Sequence, residues 1–146
     1  MKVVVQRAKE SSVSVNKKVV GKINQGLVLL VGFTENDSEK DIDYMIKKII
    51  NLRIFEDENN VMNKSLLDTK GQILSISQFT LYANTKKGNR PSYAKALNSK
   101  EAIKLYDLFN KKLKEYVIVE TGIFGEDMLV NIKNDGPVTI ILESGN

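Results

Sequence analysis

The sequence predicts an α+β fold in which curved, largely antiparallel β-sheets form a barrel-like or layered core, with two main amphipathic helices packed on it. Short apolar runs broken by turn residues occupy Met1 to Gly32, two later segments repeat apolar residues at helical spacing, and strand-like runs return after the second of them. With 146 residues, 42% of them apolar and 27% charged, the chain suits one domain spanning residues 1–146 around one sizeable core. No internal repeat, low-complexity tract or interdomain linker divides it.

From Met1 to Gly32 the chain reads as a strand meander, VVVQRA, SVSV, KVVGKI and GLVLLVG, interrupted at Asn16-Lys17-Lys18 and at Asn24-Gln25-Gly26. Asn and Gly supply the positive φ that tight hairpins need. A helix follows from about Ser38 to Asn51, because Ile42, Met45, Ile46, Ile49 and Ile50 recur at i, i+3, i+4, i+7 and i+8 along one face. Ser38 and Asp41 form a capping-box-like start. A short strand at Leu52 to Phe55 and a polar turn at Glu56 to Asn60 lead into MNKSLLD, and the apolar run Gln72 to Tyr82 makes a central strand. Ala83 to Ser92, ANTKKGNRPS, is a loop by composition. A second helix starts near Asn98 and Glu101, and Ala102, Tyr106, Phe109, Leu113 and Tyr116 form its core stripe. Strands at about Val117 to Glu120, Met128 to Asn134 and Val138 to Leu142 complete the chain, the last two separated by Asp135-Gly136-Pro137.

Composition removes whole classes of chemistry. The chain contains no cysteine and no histidine. Disulfides, thiolate catalysis and zinc–thiolate sites are thereby excluded, and the commonest general base and metal ligand is missing. Asp and Glu are scattered over helix starts and turns, where solvated charge is their ordinary role; no metal or other cofactor is expected, although carboxylate-bound magnesium stays open. Lys and Arg number 22 against 18 Asp and Glu, a net charge of +4 that suits a polyanionic partner without demanding one. No window approaches the ~20 uninterrupted apolar residues of a membrane span, and the N-terminus carries no signal-peptide pattern. A soluble, cytoplasmic protein with no membrane partner is expected.

Two places stand out for chemistry. Ser77-Gln78-Phe79-Thr80 sets polar side chains close to the end of an otherwise apolar strand, where sites form; hydrogen bonding of Ser77 and Thr80 to neighbouring backbone is the bland reading. Gly136-Pro137 lies between two strands, where an X-Pro turn is usually just a hairpin.

Taken together, these segments resemble the D-aminoacyl-tRNA deacylase (D-tyrosyl-tRNA deacylase) family, essentially from Met1 to Leu142. The matching motifs are VVVQR at Val3–Arg7, NLRIFEDE at Asn51–Glu58 and MNKSLLD at Met62–Asp68. More specific are SQFTLYA at Ser77–Ala83, KGNRPSY at Lys87–Tyr93, TGIFGEDM at Thr121–Met128 and NDGPVT at Asn134–Thr139. The resemblance implies a homodimer that hydrolyses the ester of D-aminoacyl-tRNA, and of glycyl-tRNA mischarged on alanine tRNA. It implies a cis Gly136–Pro137 bond inserted into the partner subunit's active site, with Arg7 bracing it. It also places Ser77, Gln78, Phe79 and Thr80 around the scissile ester, and Ala102, Phe124 and Met128 along the pocket. Lys86, Lys87 and Arg90 are read as contacts for phosphates of the acceptor end, against the alternative of a solvated charged loop.

A hydrolase built on a Ser-His-Asp triad cannot be assembled without histidine, and Thr80 has no obvious base. An aminoacyl ester is intrinsically reactive and its ribose carries a neighbouring 2′-hydroxyl. Orientation and an oxyanion hole then suffice, with Phe79 and Thr80 as backbone N–H donors. Thr80 as nucleophile is the competing reading. If the Gly136-Pro137 carbonyls hold the substrate ammonium, an L side chain collides with rigid backbone, a D side chain points to solvent, and glycine has nothing to reject. Two rivals stay open: a non-catalytic RNA-binding module, and the sister deacylase with a trans Gly-Pro bond that removes L-alanine. Arg7 and Ala102 favour the D-specific group.

Overall fold

The computed structural model describes residues 1–145. Its strands are β1 (Lys2–Ala8), β2 (Ser11–Val15), β3 (Lys18–Ile23), β4 (Gly26–Gly32), β5 (Phe55–Glu56), β6 (Met62–Lys64), β7 (Gln72–Ser77), β8 (Val119–Thr121), β9 (Leu129–Asn131) and β10 (Asn134–Glu143). The helices are α1 (Glu39–Asn51), α2 (Leu66–Thr69) and α3 (Ser99–Leu113). A five-stranded sheet runs β10-β1-β4-β7-β8, a three-stranded sheet runs β3-β2-β9, and β5 pairs with β6. The larger sheet is mixed, because β4, β7 and β8 are parallel while β10, β1 and β4 are antiparallel.

Alternation along the strands explains the stacking. Leu27, Leu29 and Val31 of β4 join Val3, Val5 and Ile73 in a cluster that also takes Ile42, Met45 and Ile49 of α1 and Tyr106, Phe109 and Leu113 of α3. Val28, Leu74 and Ile76 face the other way and meet Val13 of β2 and Ile23 of β3. Period-two patterning on β4 thus yields three layers, with helices, large sheet and small sheet in that order. The expected α+β class and its layered form stand; the sheets do not close into a barrel.

Apolar burial, not charge pairing, holds the helices in place. Fully burying a Leu, Ile or Phe side chain contributes about 1.5–3 kcal/mol, whereas an exposed ion pair adds about 0–1 kcal/mol. Lys112 bridges α3 to α1 through Glu39 at 2.5 Å and Asp43 at 2.7 Å, but both carboxylates are exposed. At the start of α1 the Asp41 carboxylate accepts the Ser38 backbone N–H at 2.8 Å, as the sequence predicts.

Several boundaries differ from the sequence reading, each through pairing. β1 joins β4 and β10 instead of β2, so the N-terminal strands divide between two sheets. The tight hairpin at Asn16 and Lys17 does form, with φ of 49° and 66°. The run Gln72–Tyr82 is not one strand: β7 stops at Ser77 and Phe79–Tyr82 is a 3-10 turn. Its neighbours run out there, with β4 ending at Gly32 and β8 pairing only as far as Ser75. Asp135-Gly136-Pro137 does not separate two strands either, because it lies inside β10. Proline is tolerated there since β10 is an edge strand and the β1 ladder breaks opposite it, between Gln6 and Ala8. The second helix ends at Leu113, leaving Tyr116 exposed, and the strand expected at Leu52–Phe55 reduces to Phe55–Glu56. MNKSLLD forms β6 and the short α2, whose cap is the Ser65 hydroxyl accepting from Asp68 N–H at 3.2 Å. Among the described residues no helix is long and apolar enough to cross a membrane.

Candidate active site

The end of β7 opens into a cavity of about 620 Å³. Its floor comes from Val31 and Gly32 at the end of β4, from Phe33 just after it, and from Ile76 and Ser77 of β7. One wall is the start of α3, with Asn98, Ser99 and Ala102; the opposite wall is the segment Phe124–Met128. Phe79 and Tyr93 stand at the mouth as an edge-to-face pair with ring centroids 5.1 Å apart, both substantially exposed. Six residues named from sequence therefore meet in one place: Ser77, Gln78, Phe79, Ala102, Phe124 and Met128.

The chain leaves the sheet after Gln78, whose N–H makes the last bond to β4, to the Val31 carbonyl at 2.7 Å, and enters the 3-10 turn. Gly32 permits that approach. A Cβ on Gly32 would lie 3.0 Å from the Gln78 carbonyl oxygen and 3.2 Å from Leu81 Cβ. The first internal bond of the 3-10 turn runs from Leu81 N–H to Gln78 O at 3.3 Å, so the N–H groups of Phe79 and Thr80 precede it. Neither has an acceptor among the described residues. Lys2 pins the far end of the turn, donating to Leu81 O at 3.3 Å and lying 4.9 Å above the Tyr82 ring. Burial, with the Asp37, Glu143 and Asp41 carboxylates behind it, pushes the Tyr82 hydroxyl far above its ordinary range and keeps it neutral.

Thr80 sits apart from the cavity wall. Its hydroxyl accepts from the Gln78 side-chain amide at 2.6 Å, and an amide N–H cannot take a proton from it. Among the described residues no basic group is hydrogen-bonded to this hydroxyl.

Arg7, Gly136 and Pro137 form a separate cluster that does not line this chain's cavity. The Arg7 guanidinium is buried; it donates to Ile54 O at 2.8 Å and Asp135 O at 3.2 Å and lies 3.4 Å from the Asp135 carboxylate. The Gly136–Pro137 peptide bond is cis, Gly136 has φ of 123°, and both residues are exposed. A Cβ on Gly136 would come 3.0 Å from Arg7 Nη2, so the guanidinium runs directly beneath the motif.

Lys86, Lys87 and Arg90 are exposed on a loop closed by reciprocal bonds between Asn84 and Ser92 at 2.8 and 2.9 Å. Among the described residues none of the three is ion-paired. Sequence reasoning missed Tyr93, Glu126 and Asp127, which sit within the quoted motifs KGNRPSY and TGIFGEDM, and Gly32, which no local pattern marks.

Residues 4–143 match the model of the D-Tyr-tRNA(Tyr) deacylase family. A solved structure named c-Myc DNA Unwinding Element Binding Protein is similar over 100% of both chains, with 40% identity and a TM-score of 0.95. Another, a "probable eukaryotic D-amino acid tRNA deacylase", shares the fold at TM-score 0.83 and 18% identity over 97% of both chains.

Proposed function

Because this chain belongs to the D-Tyr-tRNA(Tyr) deacylase family, whose members hydrolyse D-aminoacyl-tRNA, we propose that it is a chiral proofreading esterase with a composite, dimeric site. One observation carries the reading: the cavity and the Arg7-braced Gly136-Pro137 motif occupy separate places on one chain. In a twofold dimer the exposed motif of each subunit enters the cavity of the other. The motif's carbonyls hold the substrate ammonium and crowd the L position, so D-aminoacyl and glycyl esters are accepted and L-aminoacyl esters are rejected. Glycyl groups mischarged on alanine tRNA are then substrates in the cytoplasm. The Phe79 and Thr80 N–H groups receive the developing oxyanion, and the substrate's 2′-hydroxyl takes the place of a side-chain base. Lys86, Lys87 and Arg90 contact phosphates of the acceptor end.

Three substrates test this. D-tyrosyl-tRNA and glycyl-tRNA should be cleaved and L-tyrosyl-tRNA spared; comparable rates on D- and L-tyrosyl-tRNA would refute chiral selection. Within the same assay, Gly32→Ala should lower kcat roughly tenfold, since its Cβ displaces the Gln78 turn by a few tenths of an ångström and small misplacements at reacting atoms are costly. An unchanged kcat would show that the turn tolerates the shift.

A second reading follows from the name of the 40%-identical relative, which describes DNA binding. The same unpaired cations suit any phosphate backbone. Inhibition of deacylation by a single-stranded DNA oligonucleotide, relieved by salt, would support it.

A further inference from the structure

Tyr106 lies outside the cavity wall yet belongs to one of the elements that form it, α3, and touches two others. Its hydroxyl donates to the Ser75 carbonyl at 2.8 Å within the core, and its ring packs on Phe124 with centroids 5.9 Å apart. It also stands one turn beyond Ala102 on the buried face of α3. The Ser75 carbonyl needs such a donor. Ile73 N–H bonds to Ile118 O, so alternate backbone groups of β7 face β8, and β8 ends at Thr121 opposite Ser75. Ser75 O therefore sits on that side at the last rung of the ladder, two residues before Ser77. A buried carbonyl left without a donor is costly, so the hydroxyl fixes where β7 leaves the sheet.

We propose that Tyr106 is a positioning residue for the esterase reaction, setting the Ser77–Thr80 turn and Phe124 in register without touching substrate. This rests on the functional reading above. Burial pushes the Tyr106 hydroxyl up, which keeps it a donor at working pH; Asp107 on its own helix is the titratable neighbour and acts in the same direction.

Tyr106→Phe keeps the ring against Phe124 and deletes only the hydroxyl. The expected result is a kcat for D-tyrosyl-tRNA lowered about tenfold or more with KM within twofold, and displaced amide resonances at Phe79 and Thr80. Ile49→Val, a core change on the buried face of α1, should lower thermal stability and leave kcat and those resonances unmoved. Unaltered kcat in Tyr106→Phe, or a loss confined to KM, overturns the proposal. If the phenylalanine variant does not fold, a fluorinated tyrosine at 106 supplies the test. Its catalysed rate should fall as the acidified phenol deprotonates, over a pH range where the native enzyme is constant, and a matching flat profile overturns the proposal. Wild-type protein inactive on D-tyrosyl-tRNA would sink the functional reading instead, while the amide displacements still decide the role of Tyr106.

Discussion

Replacing the 2′-hydroxyl of the terminal adenosine by hydrogen should slow hydrolysis of D-tyrosyl-tRNA by ~10²–10³, a loss comparable to removing an oxyanion-hole donor. The expectation follows from what the cavity lacks. The chain has no histidine or cysteine, the Thr80 hydroxyl accepts from an amide donor, and neither cavity carboxylate, Glu126 or Asp127, is hydrogen-bonded to Thr80 among the described residues, so no side-chain base is in contact with that hydroxyl. The substrate's own 2′-hydroxyl is left to relay the proton, accepting it from the attacking water while passing its own to the departing 3′-oxygen. Thr80→Ala should accordingly retain much of the activity, because it preserves the backbone N–H. Single-turnover rates on the two substrates and two enzymes decide the matter. A folded, tRNA-binding Thr80→Ala enzyme that is inactive, together with unimpaired cleavage of the 2′-deoxy substrate, would restore Thr80 as the nucleophile.

Arg7→Met should cost about 3 kcal/mol of stability and also erode chiral selection. The guanidinium is buried and satisfies the Ile54 and Asp135 carbonyls together, so its removal leaves one buried and one part-buried carbonyl without a donor. Methionine fills the volume but supplies no N–H. Denaturant unfolding reads the first effect, and the ratio of D- to L-tyrosyl-tRNA cleavage reads the second. The composite site adds a sharper expectation. Arg7→Met has a damaged motif and an intact cavity, whereas Gly32→Ala has the reverse. Mixed heterodimers then contain one intact site and should recover activity above either parent. Recovery no greater than the average of the parents would mean that motif and cavity act within one chain.

Periodicity carried the layer assignments. The i, i+3, i+4 spacing of Ile42, Met45 and Ile49 identified the buried face of α1, and Ser38 with Asp41 marked its start, because both depend on residues within one or two turns. The composition alone removed histidine- and thiolate-based chemistry. The motifs pointed to Ser77, Gln78, Phe79, Ala102, Phe124 and Met128, which the fold brings to one cavity from β7, α3 and the segment after β8.

What the sequence could not decide was where ladders begin and end. Apolar alternation shows that a residue faces a core, but not which strand lies beside it. Gln72–Tyr82 therefore reads as one strand, although β7 stops at Ser77 because β4 and β8, distant in the chain, end beside it. Gly136-Pro137 likewise reads as a turn, although it continues β10 along an edge where a missing N–H is tolerated. The roles of Gly32 and Tyr106 have the same origin. One permits a backbone approach and the other completes a carbonyl, and both needs arise only when segments remote in sequence are packed together. Local chemistry determined the elements and their buried faces; tertiary pairing decided where the chain leaves the sheet, and hence where the site lies.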